Sequence, residues 1–434
     1  MELDILGILV LIFSFLFFLV IGTPIAYSIG LSALATMLVS FDTLPAFSTM
    51  AQRMATGLES FSLLAIPFFI LAGQLMNSGG IAMRLIEFAK VIVGRLPGGL
   101  ALVNVTANML FGAISGSAAA SASAIGTIMS PRMEKEGYDK NFSAAINVTS
   151  ATTGLSIPPS NVLIVYSLAS GGVSIGALFL AGYLPGILTG IALMLVGAVY
   201  AYRKKYPVAE KIPFRAAIKK FLDAIPSLMM LVVVIGGIIA GLFTATEAAA
   251  IAVVYSLVLA LIYKEVSVKH LPNIIINTIR TTGMVMLLIA SSIGLSWVMS
   301  FENIPQTVSN GLLSLSSDPF IILIIINLIL LFVGIFMDMT PAVLIFTPIF
   351  LPIVTAQLGL DPIHFGIIMI LNLNVGLCTP PVGSVLFIGC SVANLKIQDL
   401  VKPLIPFYIA MIAVLLLVTF IPEIAMWIPK AFGY

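Results

Sequence analysis

The sequence predicts an all-α, polytopic integral membrane protein built from two structural repeats that contain helical hairpins and discontinuous helices. Three observations carry that expectation. Of 434 residues, 60% are hydrophobic and only 9% are charged, far below the roughly 25% charge of a soluble domain. So few ions cannot clothe a water-exposed surface, which excludes a soluble enzyme, a disordered chain and a disulfide-built secreted domain. Second, apolar runs fill the chain, and those too short for a ~30 Å hydrocarbon core gather around two proline pairs, Pro158-Pro159 and Pro380-Pro381. Third, the chain matches itself without gaps at an offset of 222 residues.

The first apolar run extends from Ile5 to Val20 behind an acidic start, MELD, with no cleavage signature after it. It reads as a retained helix and not as a signal peptide. Further spanning segments are expected at 24–40, 62–77, 97–114, 143–157, 161–174, 177–201, 222–243, 245–263, 282–300, 320–337, 341–357, 364–378, 382–394 and 403–427. One connector gathers seven of the 20 basic residues: Arg203, Lys204, Lys205, Lys211, Arg215, Lys219 and Lys220. A short loop of this charge reads as cytoplasmic.

The repeat is carried by specific positions. Pro97 falls on Pro319, Gly112 on Gly334, Gly137 on Gly359, Asp139 on Asp361, Gly154 on Gly376, and Pro158-Pro159 on Pro380-Pro381. Repeats with broken helices mark secondary transporters, and the interrupted segments mark their binding site. An inverted relation between the halves is the expectation for that architecture.

Proline has no N–H, so the carbonyl four residues before it loses its helical donor. Pro158 and Pro380 therefore free the carbonyls of Gly154 and Gly376, while Pro159 and Pro381 free those of Leu155 and Leu377. An unpaired carbonyl in hydrocarbon is costly unless a ligand takes it up. Neutral oxygens surround both breaks: Asn147, Thr149, Ser150, Thr152, Thr153, Ser156, Ser160 and Asn161 in one half, Asn372, Asn374 and Thr379 in the other. Such donors suit Na⁺ better than a proton relay.

Upstream of each break lies a second unusual segment. Asn108–Ser123 is rich in Gly, Ala and Ser and reads as a hairpin whose half-helix N–H groups face an anion without a buried charge. Its counterpart, Gly334–Pro341, holds Asp338 in an otherwise uncharged apolar stretch, a candidate for a cation site or for capping the Met339 or Thr340 backbone. Glu247, after Thr244 and Thr246, reads as a first-turn helix carboxylate, as does Glu59 at a segment edge. His270 and His364 read as ordinary loop or packing residues, and no transition-metal spacing, nucleotide fingerprint or nucleic-acid patch occurs. No Ser/His/Asp set, carboxylate pair or P-loop is present, so transport is driven by a gradient or by a partner.

With these residues in place, the chain resembles the large (DctM/SiaM-like) membrane subunit of the tripartite ATP-independent periplasmic (TRAP) transporters over essentially its whole length. The resemblance rests on Gly112–Ser117, Pro131-Arg132-Met133, Leu155–Ser160, the Gly334–Pro352 region and Thr379-Pro380-Pro381-Val382-Gly383. It implies sodium-coupled import of a small organic anion, such as sialic acid, a C4-dicarboxylate or a sugar acid, across the bacterial inner membrane. Na⁺ is then the coupling ion, with no cofactor. The implied partners are a small four-helix membrane subunit, expected here as a separate chain, a periplasmic substrate-binding protein and membrane lipid.

The resemblance further implies an elevator. Scaffold helices would occupy 1–96, 186–300 (around the connector 203–220) and 403–434; the transport domain would occupy 97–185 and 301–402. Sodium would lie near Gly112, Ser115, Thr152, Gly154 and Ser156 in one half, and near Gly334, Asp338, Asn374, Gly376 and Thr379 in the other. Substrate would meet Ser117, Ser121, Ser160, Asn161 and Thr340, while Cys378 reads as packing. The alternatives are a sodium/anion symporter that needs no binding protein, and a membrane scaffold or enzyme.

Overall fold

The computed structural model describes residues 2–78, 80–206, 213–264, 266–316 and 318–434. Lys211 of the basic connector lies outside the described residues. Every regular element among them is helical. The first five are α1 (Glu2–Val20), α2 (Ile25–Ser40), α3 (Thr43–Gly57), α4 (Ala65–Ser78) and α5 (Ile81–Val93). The first hairpin is α6 (Gly99–Ser115) and α7 (Ala118–Lys135), followed by the broken pair α8 (Lys140–Ser156) and α9 (Asn161–Ala169) and by the long α10 (Ile175–Lys204). After the connector come α11 (Phe214–Ile239), α12 (Ala245–Ile262), α13 (Leu271–Phe301) and α14 (Ile304–Leu315). The second hairpin is α15 (Pro319–Phe336) and α16 (Met339–Ala356), then the broken pair α17 (Pro362–Leu377) and α18 (Ser384–Ala393), then α19 (Ile397–Phe420) and α20 (Glu423–Ala431). Eight helices among the described residues are long and apolar enough to cross a membrane. The chain is a multi-pass membrane protein.

Local chemistry explains the punctuation. Gly137 and Gly359 end the hairpins at φ +82° and +67°, where a Cβ would be strained. Two residues on, the Asp139 and Asp361 carboxylates accept from the N–H groups of Phe142 and Ile363 at 2.8 and 2.7 Å, capping the next helices. The same Gly-x-Asp device thus starts α8 and α17. Thr244 and Glu247 form a reciprocal capping box on α12, which bears out the first-turn reading of Glu247.

The repeat reaches further than the sequence indicated. Shifted by 222 residues, α1, α2, α4 and α5 fall on α11, α12, the second half of α13, and α14. The halves exchange partners accordingly: α2 packs on α13, and α12 packs on α4. The amphipathic helix α5 thus has α14 as its counterpart. The last span also differs from expectation. The single segment 403–427 breaks after Phe420, where Pro422 opens the separate helix α20.

The halves are inverted. With 30 residues, α10 is about 45 Å long and serves as a ruler. At its connector end, the Asp139 N–H donates to Tyr206 Oη at 2.9 Å, so the first hairpin returns to the connector face. At its opposite end, a Cβ on Gly176 would lie 3.0 Å from Tyr434 Oη, just beyond α20. There the second hairpin begins, with Phe320 stacked on Phe420 at 4.2 Å.

Candidate functional site

Both hairpins cross their broken helices at glycine. A Cβ on Gly112 would lie 2.7 Å from the Gly154 α-carbon, and one on Gly334 would lie 3.2 Å from that of Gly376. Backbone meets backbone at both crossings. This brings together two glycine pairs that are 42 residues apart in sequence in each half.

The two breaks also meet each other. Asn374 Nδ2 donates to Ser156 Oγ at 2.8 Å, and Cys378 Sγ lies 4.0 Å from Thr152 Oγ1. In the repeat Thr152 corresponds to Asn374 and Ser156 to Cys378, so the two contacts are images of one another. That is the self-complementary pattern of a two-fold interface, realised within one chain. Cys378 is fully buried, and its thiol points toward the carbonyls of Asn374 and Val148 at 3.5 and 3.6 Å, in keeping with a packing role.

Prolines 158, 159, 380 and 381 break their helices as expected, but the freed carbonyls do not fare equally. Among the described residues no N–H donates to the Gly154 oxygen, because Ile157 turns back to Thr153 at 3.3 Å. The Gly376 oxygen, expected to be free, accepts from the Thr379 N–H at 2.9 Å. The reason is local: after Leu377 the chain tightens through Cys378 (φ −97°, ψ −6°), whereas Ile157 is extended (φ −88°, ψ 122°). A carbonyl holds two lone pairs, so Gly376 retains one. The Thr152 and Thr379 hydroxyls donate to the Thr149 and Val375 carbonyls at 2.9 and 2.7 Å and keep their acceptor lone pairs. Three buried oxygens nearby, Asn374 Oδ1, Ser160 Oγ and Asn161 Oδ1, have no hydrogen-bond partner among the described residues.

Between the two hairpin tips lies a cavity of about 310 Å³. Ser115, Gly116 and Ser117 form one wall, and Asp338, Met339 and Thr340 form the other. Asn161 and Ser384, at the starts of α9 and α18, also line it, as do Gln74 and Asn77 of α4 and Thr281 of α13. Asp338 is the one charged residue among the lining residues. It is exposed to the cavity and accepts from Ser384 Oγ at 3.4 Å; it does not cap the α16 backbone. Ser117 does cap its helix, accepting from the Ala120 N–H at 3.2 Å.

The structure thus gathers Ser115, Ser117, Asn161, Asp338 and Thr340 around one space. Ser121 is different. Its hydroxyl donates to Asn108 Oδ1 at 2.7 Å inside a buried network with Asn104, Asn147 and Ser150, outside the cavity. Helical spacing explains this, since four residues from Ser117 carry Ser121 inward beneath the tip. Ser160 is fully buried and does not line the cavity. Gln74, Asn77 and Thr281 were missed; the available signal was polar side chains three residues apart in the otherwise apolar α4. His364 packs in the core, its Nε2 2.7 Å from the Val418 carbonyl.

Inverted halves, helical hairpins and broken helices converging on a polar cavity define a secondary transporter, not an enzyme. Residues 12–424 match the family described as "Tripartite ATP-independent periplasmic transporter, DctM component". The chain belongs to that family and is a TRAP large permease. It is 56% identical to the uncharacterized protein YgiK of Salmonella typhimurium, covering 98% of each chain. It is 38% identical to the C4-dicarboxylate TRAP large permease DctM of Rhodobacter capsulatus, covering 95% of this chain and 96% of the other. It is 37% identical to the sialic acid TRAP large permease SiaM of Vibrio cholerae, covering 98% and 99%. In fold it is similar to the Alcanivorax borkumensis YdaH transporter, with a TM-score of 0.65 at 12% identity and coverage of 89% and 88%.

Proposed function

We propose that the protein imports a small organic carboxylate across the bacterial inner membrane, driven by Na⁺, after a periplasmic binding protein delivers the substrate. The observation that carries this reading is the hairpin cavity, walled by hydroxyls, amides and helix starts, with Asp338 its one charged lining residue. Relatives named for C4-dicarboxylates and for sialic acid support a small carboxylate as the substrate. A carboxylate at the Ser115–Ser117 and Asn161 wall would be met by half-helix N–H groups, which favour negative charge. Asp338 on the opposite wall would meet a hydroxyl, an amine or a cation, since two carboxylates in contact repel.

Na⁺ would occupy the two glycine crossings. On one side the candidates are Gly112, Ser115, Thr152, Gly154 and Ser156; on the other they are Gly334, Asp338, Asn374, Gly376 and Thr379. The unpaired Gly154 carbonyl and Asn374 Oδ1 support this reading, because a dehydrated cation would satisfy both. The hairpins and broken helices of 97–185 and 301–402 would move as one body against the remaining helices, braced by a small four-helix membrane subunit in surrounding lipid. The basic connector 203–220 would face the cytoplasm.

Proteoliposomes test this directly. Uptake of a labelled C4-dicarboxylate, sialic acid or sugar acid should require a sodium gradient, the small subunit and the binding protein together. Uptake by the isolated chain would assign the binding-protein-independent symport instead, and uptake indifferent to sodium would overturn the coupling.

A further inference from the structure

A second cavity, of about 430 Å³, lies beyond the hairpin cavity, toward the face opposite the connector. Three helices line both: α9 (Val162 and Val165, then Leu168), α16 (Thr340, then Leu344 and Pro348) and α13 (Val285, then Ser292 and Trp297). Along α13 the step from Val285 to Ser292 is about 10 Å. The second cavity lies by the last turns of α13 and the end of α9, the ends remote from the connector. One wall belongs to the helices proposed to move and the other to α3 and α13.

Arg53 of α3 is the one charged residue lining this second space, and its guanidinium stands 5.4 Å from the Trp297 ring centroid. It forms no ion pair among the described residues. Ser292, 2% exposed, lines the same space, and its hydroxyl has no hydrogen-bond partner among the described residues. An unneutralised guanidinium held against an aromatic face presents its donors outward, in the fork that matches a carboxylate. We propose that Arg53, Trp297 and Ser292 form an outer reception site for the substrate's carboxylate, in the second cavity, which shares the walls of α9, α13 and α16 with the hairpin cavity. The site rests on the reading of an anionic cargo. Its logic is sequential: the outer site holds the carboxylate by charge, and the inner cavity, which lacks basic residues, holds it by dipoles and lets it go.

Trp297 reports on the site, because the chain has only one other tryptophan, Trp427. A Trp427→Phe full-length chain in phosphatidylcholine nanodiscs is titrated with sodium succinate, gluconate and N-acetylneuraminate, against sodium chloride at matched ionic strength. Saturable change in Trp297 emission with at least one carboxylate is expected, with half-saturation raised about tenfold in Arg53→Gln and less in Arg53→Lys. Asn161→Ala, in the inner cavity, should leave the titration in place. In the assembled transporter Arg53→Gln should raise the KM for uptake and spare the maximal rate. Identical titrations in the parent and Arg53→Gln overturn the site, as does the absence of saturation with every carboxylate. A response to phosphatidylglycerol alone assigns Arg53 to lipid phosphate, and loss of binding-protein docking with a flat titration assigns it to that protein; either overturns the proposal. Failure of sodium-driven uptake with the Trp297 titration intact would sink the import mechanism and leave this site standing.

Discussion

The α-carbons of Gly112 and Gly154 pass so closely that a single methyl group on Gly112 would lie 2.7 Å from the Gly154 α-carbon. The obstacle is backbone, which cannot rotate away. Gly112→Ala should therefore destabilise the protein by about 1–3 kcal/mol, the usual cost of overpacking. Gly334→Ala should cost less, because its methyl would lie 3.2 Å from Gly376. Thermal unfolding of the purified variants decides this, and an unchanged midpoint in Gly112→Ala would show that the crossing can open.

The hydrogen bond from Asn374 to Ser156 ties the two breaks together at 2.8 Å. Asn374→Ala and Ser156→Ala should be coupled, with the double variant losing about 0.5–1.5 kcal/mol less than the sum of the singles. Additive losses in a double-mutant cycle would mean that the pair contributes nothing as a pair.

Glu87 on α5 receives Lys220 of α11 at 2.6 Å and Arg132 of α7 at 3.0 Å. Burial by itself raises its carboxyl, but hydrogen bonds and charge from Lys220 and Arg132 outweigh burial and hold it below its ordinary value of 4.5. A depressed acid stabilises the fold above its unfolded value, and that contribution is lost as pH falls through the folded value. The stability advantage of the parent over Glu87→Gln should be constant above about pH 5 and shrink below the ordinary carboxylate value. The side chains are partly exposed, so water screens the pair and the advantage is at most about 1 kcal/mol. An advantage that grows on acidification would contradict the assignment.

Thr244 caps α12 through the Glu247 N–H at 3.2 Å. Thr244→Ala should cost about 1 kcal/mol, with Thr244→Ser recovering most of it. Equal unfolding midpoints for Thr244→Ala and the parent would show that the helix end is held by packing alone.

Much of the architecture was legible before any coordinates, because hydropathy, proline and Gly-x-Asp punctuation are local. Both proline pairs interrupt helices, and Asp139 and Asp361, which the sequence marked only as matching repeat positions, cap α8 and α17. The share of the repeat that precedes each hairpin was hidden, since α2 and α12 match in helix placement but in few residue identities. The site was legible by residue type and less so by direction. Ser117 and Ser121 look alike in sequence, yet one borders the cavity and the other is spent on Asn108. The Gly154 and Gly376 carbonyls look equally free, yet a tight turn gives one of them a donor.

The sequence by itself determined that the chain lives in a membrane, that it is a doubled transporter and where its helices break. Each of these follows from composition or short-range chemistry, which needs no fold to act. Tertiary structure decided which glycines touch, how the two breaks meet and which ring Arg53 stands against. Those depend on contacts between residues tens to hundreds of positions apart, such as Ser156 with Asn374 and Arg53 with Trp297. No local rule encodes them, because each pair meets only when separate helices pack together.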